Sequence, residues 1–468
     1  MKHLKLLALL SVPLLALFAA GCGSGNGNVV GTTAQTITFN NPGTQTAGTS
    51  LTLSATANSG LAVSFTSAPP SVCTVSGTTT TFGAAGTCTI DASLAGNSTY
   101  AAASQVAQSF TVNPAIGPTT TVYIAGYAVS PTSSPSYSTV SIATIWQLTS
   151  GSPTATATAL SMPSGMTVSQ ANAIAVSGSD VYVAGYASSS TNETAVLWLN
   201  GTATTLSPPS GMAYAIANAI AVSGSNVYVA GYASNGAGSG NAVLWVNGTA
   251  TALSPPSGMA YSSANAIAVS GSNVYVAGGA GNTDNNAVQR AVLWVNGTTT
   301  PLPMPSGLTG GYHALGIAVS GGNVYVSGNT YPSAGNSTAI FWVNNGAATT
   351  LPMPSGMTGN YYALGIAVSG GNVDVAGQGT SGATGNSTAA YWVNGAGTAL
   401  PMPSNTTYAP GGNSSALGIA VSGSDVYSVG SVGGSDAAYW VNGGAATLLP
   451  MPSGTGGGRA SAIAVSTQ

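Results

Sequence analysis

The sequence predicts an all-β protein: a small antiparallel sandwich, then a β-propeller of seven blades closed by the C-terminal strand. Two observations carry the propeller. Tryptophan recurs at Trp146, Trp198, Trp245, Trp294, Trp342, Trp392 and Trp440, and a period of about 50 residues with several strands per unit marks propeller blades. The repeated unit (Ala-Ile-Ala-Val-Ser, a turn, Val-Tyr-Val-Ala-Gly, a loop, Ala-Val-Leu-Trp-Val-Asn-Gly) is also split at the ends. Its first copy begins late, at Val122-Tyr123-Ile124-Ala125-Gly126, and the missing piece stands alone as Ala462-Ile463-Ala464-Val465-Ser466. A third observation carries the sandwich: residues 36–113 hold short alternating apolar runs broken by Asn41-Pro42-Gly43, Ser59-Gly60 and Pro69-Pro70, the pattern of short strands and turns.

The N-terminus reads as a targeting segment. Lys2 and Lys5 precede an apolar stretch, Leu6 to Phe18, that is short for a membrane span. Ala19-Ala20-Gly21-Cys22 then resembles the lipobox of bacterial lipoproteins. The resemblance implies a signal peptide over residues 1–21 and a lipid on Cys22. Each buried CH₂ of such a lipid contributes about 0.8 kcal/mol of anchoring. Gly23 is not the aspartate that retains lipoproteins at the inner membrane. The expected location is therefore the cell envelope, facing outward, on the outer membrane where there is one. Residues 22–34 are rich in Gly, Asn, Ser and Thr, the composition of a flexible tether.

Charge excludes whole classes of partner. Beyond Cys22 the cations are Arg290 and Arg459, set against seven acidic side chains. Nucleic-acid binding needs several Lys or Arg to neutralise phosphates, and attraction to anionic lipid surfaces needs a basic patch. Neither exists here. With 44% hydrophobic residues the chain is too apolar for disorder. Once Cys22 is assigned to lipid, Cys73 and Cys88 remain as one disulfide pair in an oxidising compartment.

Strands are expected at Thr36–Phe39, Leu51–Ala55, Ala62–Phe65, Val72–Val75, Thr87–Ile90 and Ser109–Val112. The run Gln35-Thr36-Ile37-Thr38-Phe39, the Leu51–Ala55 strand and the pair Ser71-Val72-Cys73-Thr74-Val75 and Gly86-Thr87-Cys88-Thr89-Ile90 resemble the bacterial Ig-like repeats of cell-surface proteins. That resemblance implies an Ig-like sandwich over residues 35–114 serving as a spacer or adhesive module.

The propeller is expected over residues 119–468, each blade a four-stranded meander A–B–C–D. In one unit, Ala266–Val269 is strand A, Val274–Ala277 strand B, Val292–Val295 strand C and Thr298–Leu302 strand D. Asn296-Gly297 between C and D favours positive φ at both positions, as a type I′ hairpin requires. Strand A alternates large and small apolar residues with no polar face, so burial on both sides is expected. The Ala-Ile-Ala-Val-Ser and Val-Tyr-Val-Ala-Gly runs are similar to YVTN/NHL-type repeats, and Ala-Val-Leu-Trp-Val-Asn-Gly-Thr-Ala-Thr-Ala-Leu to HAF-type repeats. Both imply an extracellular propeller, and neither implies an activity.

A–B and C–D turns are short and uniform, whereas B–C and D–A connections vary, and variable loops on a rigid ring are where binding resides. Tyr214, Tyr261, Tyr312, Tyr361, Tyr362 and Tyr408 fall in the D–A connections. Tyrosine supplies rigid amphipathic contact area. A tyrosine-rich face with little charge suits a neutral ligand, a glycan or a protein surface. Asp374 is the further candidate, because six other copies carry tyrosine at its position. Asp180 and Asp425 align with turn asparagines, and turn chemistry accounts for them. With one histidine, His313, beyond residue 22, a multi-histidine metal centre is ruled out, and no cofactor is expected. The alternative is a carbohydrate-active enzyme, lyase or hydrolase, drawing a carboxylate pair from Glu193, Asp284, Asp374 or Asp436. A monomer is expected.

Overall fold

The computed structural model describes residues 32–113, 120–130, 140–149, 154–236, 240–282, 289–380, 385–403 and 412–467. Every described element is a β-strand. The chain divides into two compact units, residues 1–117 and 118–468.

In the first unit a four-stranded sheet (Gln45–Thr46, Val106–Asn113, Gly86–Ser93, Ser64–Ala68) and a three-stranded sheet (Ser50–Thr52, Thr79–Phe82, Cys73–Ser76) share one core with a ribbon of Ile37–Phe39 and Ala55–Ala57. Phe39, Leu53, Phe82, Ile90 and Phe110 fill that core. The Cys73–Cys88 disulfide ties the two larger sheets together, and closing a loop of that size contributes about 3 kcal/mol. Leu51–Ala55 is not the single strand expected. Leu51 pairs with Thr80 in one sheet and Ala55 with Phe39 in another. The chain changes sheets at the buried Leu53, whose N–H is held by the Thr78 carbonyl at 2.7 Å. Thr79–Phe82 is a strand the sequence reading did not anticipate; it turns Thr80 and Phe82 inward.

The second unit is the propeller. Among the described residues it forms seven antiparallel four-stranded sheets. Their A strands are Val168–Ser177, Tyr214–Ser223, Tyr261–Ser270, Gly311–Ser320, Tyr361–Ser369, Ser414–Ser422 and Gly457–Thr467. All seven line one axial cavity of about 190 Å³. The last belongs to blade 1. It pairs antiparallel with Thr120–Ser130, setting Val122 opposite Val465, Ile124 opposite Ile463 and Ala125 opposite Ala462. Strand A is buried on both faces at Ala173 and Ile174 and their equivalents in blades 3 and 4, but not along its whole length. Ala175 and Val176, nearer the hairpin end, are half-buried.

Each A strand carries a β-bulge at one equivalent place, the extra residue being Asn172, Asn218, Asn265, Leu315, Leu364, Leu417 or Ser461. The bulge bends the A strand, and beside it the two backbones come close enough that each B strand carries glycine after alanine or its equivalent. A Cβ on Gly231 would lie 2.0 Å from the Ile216 carbonyl oxygen, and one on Gly328 would lie 1.9 Å from that of His313. In blades 2 to 4 the bulged asparagine also latches the ring. Nδ2 of Asn172, Asn218 and Asn265 donates to the carbonyl of Ala217, Ala264 and Ala314 on the next blade, each at 2.9 Å.

The tryptophans apply one rule seven times. Each is buried against the preceding blade, and its Nε1–H donates to a carbonyl of the crossing segment that enters its own blade: Ser161, Ser207, Ser254, Pro303, Pro352 and Pro401 for Trp198 through Trp440. Trp146 of blade 1 donates to Pro450 at 2.6 Å, on the segment that leads into the closing strand. The C-terminus is therefore held by the same bond as every other blade entry.

Candidate functional site

The meander order puts A–B and C–D turns at one end of the propeller and B–C and D–A connections at the other. The first end is stereotyped. Asn200, Asn247, Asn296, Asn344, Asn394 and Asn442 all have φ between 48° and 51°, the left-handed first position of a type I′ turn. Each also accepts from the N–H of the second residue of its B strand, as Asn247 Oδ1 does from Val227 at 2.8 Å. Its amide then donates across the A–B turn. Asn200 Nδ2 reaches Asp180 and Asn442 Nδ2 reaches Asp425, both at 2.9 Å, while Asn247 reaches Asn226 at 2.8 Å. The two aspartates are turn residues, and their side chains are spent on these bonds.

The other end is irregular and aromatic. Tyr214, Tyr261, Tyr312, Tyr361 and Tyr362 stand there, but they do not lie in loops as expected: they open the A strands of blades 3 to 6. The B strands run on far enough to pair with them, as Tyr214 does with Ser234. The bulge at Asn218 shifts the in–out alternation by one residue, so the extension looks unlike a strand in the sequence. Tyr214 is 36% exposed. Tyr261 meets Tyr232 of the preceding blade with ring centroids 5.8 Å apart. Tyr312 differs from these, being buried with its hydroxyl donating to the Leu302 carbonyl at 3.0 Å. Burial raises the Tyr361 phenol, and a hydrogen bond with Thr338 opposes that rise. Tyr408 lies outside the described residues.

Asp374 is neither at this end nor solvated. It lies three residues into its B strand at the hairpin end, 3% exposed, with Oδ1 accepting from the Tyr391 hydroxyl at 2.8 Å. Blades 1 to 4 carry tyrosine at the Asp374 position and an aliphatic residue before the tryptophan, blade 5 has Tyr325 with Phe341, blade 7 has Tyr427 with Tyr439, and blade 6 has Asp374 with Tyr391. Burial raises the Asp374 carboxyl above its ordinary range, and the Tyr391 hydrogen bond only partly offsets this. Folding therefore disfavours its ionised form. The wild type loses stability as pH rises from the unfolded carboxylate's range through the raised folded value, and the loss persists at neutral pH. Asp374→Asn keeps an oxygen for Tyr391 and removes the charge. At pH 7 it is expected to melt higher than wild type, with the gain shrinking towards pH 4; an equal gain at both pH values would contradict this origin.

The remaining acids are dispersed. Glu193 and Asp436 open the C strands of blades 2 and 7 at the aromatic end, and burial raises both carboxyls. Tyr186 beside Glu193 is raised by burial, then by the Glu193 charge. Asp284 and Cys22 lie outside the described residues. Among the described residues there is no group of three His, Cys, Asp or Glu side chains placed to hold a metal.

Sequence reasoning missed one polar pair at the aromatic end. His313 and Asn329 face each other in register across strands A and B of blade 5. Burial lowers the His313 imidazole to about 4, so it is neutral at physiological pH. The signal available was positional: Tyr127, Tyr186 and Tyr232 occupy in blades 1 to 3 the place of Asn329.

No protein-family profile and no curated protein matches this chain. Among solved structures it is similar to the extracellular domain of a one-component system from B. thetaiotaomicron, at 10% identity and a TM-score of 0.38, over 65% of this chain and 37% of that one. It is similar also to the β-propeller domain of the Trilobed protease from Pyrococcus furiosus, at 9% identity and a TM-score of 0.39, over 67% of this chain and 89% of that one. An α-L-arabinofuranosidase from Clostridium thermocellum matches at 13% identity and a TM-score of 0.28, over 51% of this chain and 96% of that one.

Proposed function

We propose that this chain is a recognition or scaffold lipoprotein, anchored in the cell envelope through Cys22 and facing outward. In this reading it binds a neutral ligand, a glycan or a protein surface, through the B–C and D–A end of its propeller. The Ig-like unit serves as a spacer between the lipid and the propeller. The observation that carries the reading is the contrast between the two ends. One end spends its polar side chains on repeated turn bonds. The other presents half-exposed tyrosines that bridge neighbouring blades, anchors of the kind that dominate binding energy.

The test is binding of the full chain to an array of immobilised neutral glycans. Tyr214→Ala and Tyr261→Ala are expected to weaken binding by about tenfold or more, as anchor truncation does. Leu199→Ser, at the exposed hairpin end, is expected to leave it unchanged. Equal effects at both ends would refute the reading. Cleavage of a bound glycan that Glu193→Gln abolishes would instead favour the carbohydrate-active alternative.

A further inference from the structure

Buried polar atoms without partners gather at one corner of the aromatic end. Asn329 is fully buried, and neither its Oδ1 nor its Nδ2 has a partner in good hydrogen-bond geometry, the Tyr331 phenol beside it being the one group among the described residues that interacts with its side chain. The buried Nε2 of His313, its register partner, is also unpartnered. Leaving such a group unpaired costs about 1–3 kcal/mol, and each exception in a native fold calls for a reason. The surroundings are aromatic apart from the buried Gln289, whose Oε1 would lie 3.2 Å from a Cβ on Gly279 of blade 4. The Tyr331 ring meets His313 edge-on at 5.0 Å and approaches Tyr362 of blade 6 at 6.5 Å. On the blade 4 side stands Gly279, where blades 1 to 3 carry tyrosine. A Cβ there would sit 3.6 Å from the His313 ring, so the exchange of tyrosine for glycine makes the room that His313 occupies.

The chemistry of this corner selects its ligand. An anion would find no cation, since His313 is neutral. A cation would find no carboxylate among these residues. The primary amide offers a donor and an acceptor side by side, the imidazole offers one more polar atom, and two phenol rings offer flat apolar faces.

We propose that His313, Asn329, Tyr331 and Tyr362 form a saccharide subsite. Asn329 Nδ2 donates to one hydroxyl of a neutral sugar, and its Oδ1 accepts from the adjacent one. His313 Nε2 completes a third hydrogen bond, and the sugar ring packs on the Tyr331 and Tyr362 faces. The Tyr331 ring must swing aside to admit the sugar, a rotamer change of the sort common on binding. The proposal rests on the recognition reading above and narrows it to a glycan and to one corner of the face.

The experiment takes a neutral oligosaccharide retained by the full-length wild type on the array and titrates it against variants. Asn329→Ala and Tyr362→Ala are each expected to weaken binding by about tenfold or more. Asn329→Ala removes unpaired atoms, so its melting temperature is expected to hold or rise. The chain has only two histidines, His3 and His313, and the His313 imidazole ¹⁵N resonances are expected to shift on addition of the sugar. Undiminished binding by both variants, with His313 unmoved, overturns the subsite and leaves recognition elsewhere on the face standing. A lowered melting temperature for Asn329→Ala with unchanged affinity also overturns it, showing that the pair is structural and bridged by internal water. Retention of no saccharide by the wild type overturns the subsite and the glycan reading together.

Discussion

Removal of residues 457–468 is expected to abolish the cooperative unfolding transition of the propeller. That strand supplies the antiparallel partner for Thr121 through Val129, and its removal leaves an open ladder along the B strand of blade 1. It also uncovers Ile124 and Val122, now buried, and takes away Ile463 and Val465, which pack on the same cluster. Each large aliphatic side chain contributes roughly 1.5–3 kcal/mol by burial, and each ladder bond about 0.5–1.5 kcal/mol. Even a few of these terms reach about 5 kcal/mol, the scale of a whole domain's net stability. Calorimetry or a denaturant titration checks this. A truncated chain that melts cooperatively at the wild-type temperature would show that the ring does not depend on its tail.

Trp245→Ala is expected to cost about 3–5 kcal/mol, the range for large aromatic truncations in a packed core. The indole is fully buried between Leu206 and Ala195 of blade 2 and Val229 and Val243 of its own blade, so little can collapse into the space. Trp245→Phe separates the two parts of that loss. It keeps a ring in the gap but leaves the Ser207 carbonyl, bonded at 2.7 Å in the wild type, without its donor. The expected loss is about 1–3 kcal/mol. If Trp245→Phe proves as damaging as Trp245→Ala in denaturant midpoint, the bond rather than the packing holds the crossing segment. If both are neutral, the seven-fold tryptophan rule has no energetic basis.

The ring, its closure and its hairpins were legible because each rests on local or repeated chemistry. Asn-Gly specifies its own turn, and a split repeat specifies that the tail segment from Ala462 pairs with the strand from Val122. What escaped the sequence depends on non-local fit. The A strands begin several residues earlier than their alternation suggests, because the bulge at Asn218 and its equivalents reverses the phase. Beside the same bulge every B strand carries its glycine, a requirement invisible until two backbones are seen in contact. Asp374 looks like an isolated departure in one strand. Its partner lies in the next strand, where the Tyr391 hydroxyl donates to it. Asn329 and His313 each look like ordinary variation, and only their shared register position and unpaired atoms single them out.

Hydrogen exchange across the closing strand is the most direct measurement of the central claim. Amides of Ala460 to Ser466 that pair with blade 1 are expected to exchange as slowly as those of the A strand Tyr261–Ser270 in mid-chain, through global opening alone. Rapid exchange of the terminal segment beside a protected blade 4 would contradict a ring closed by its own tail.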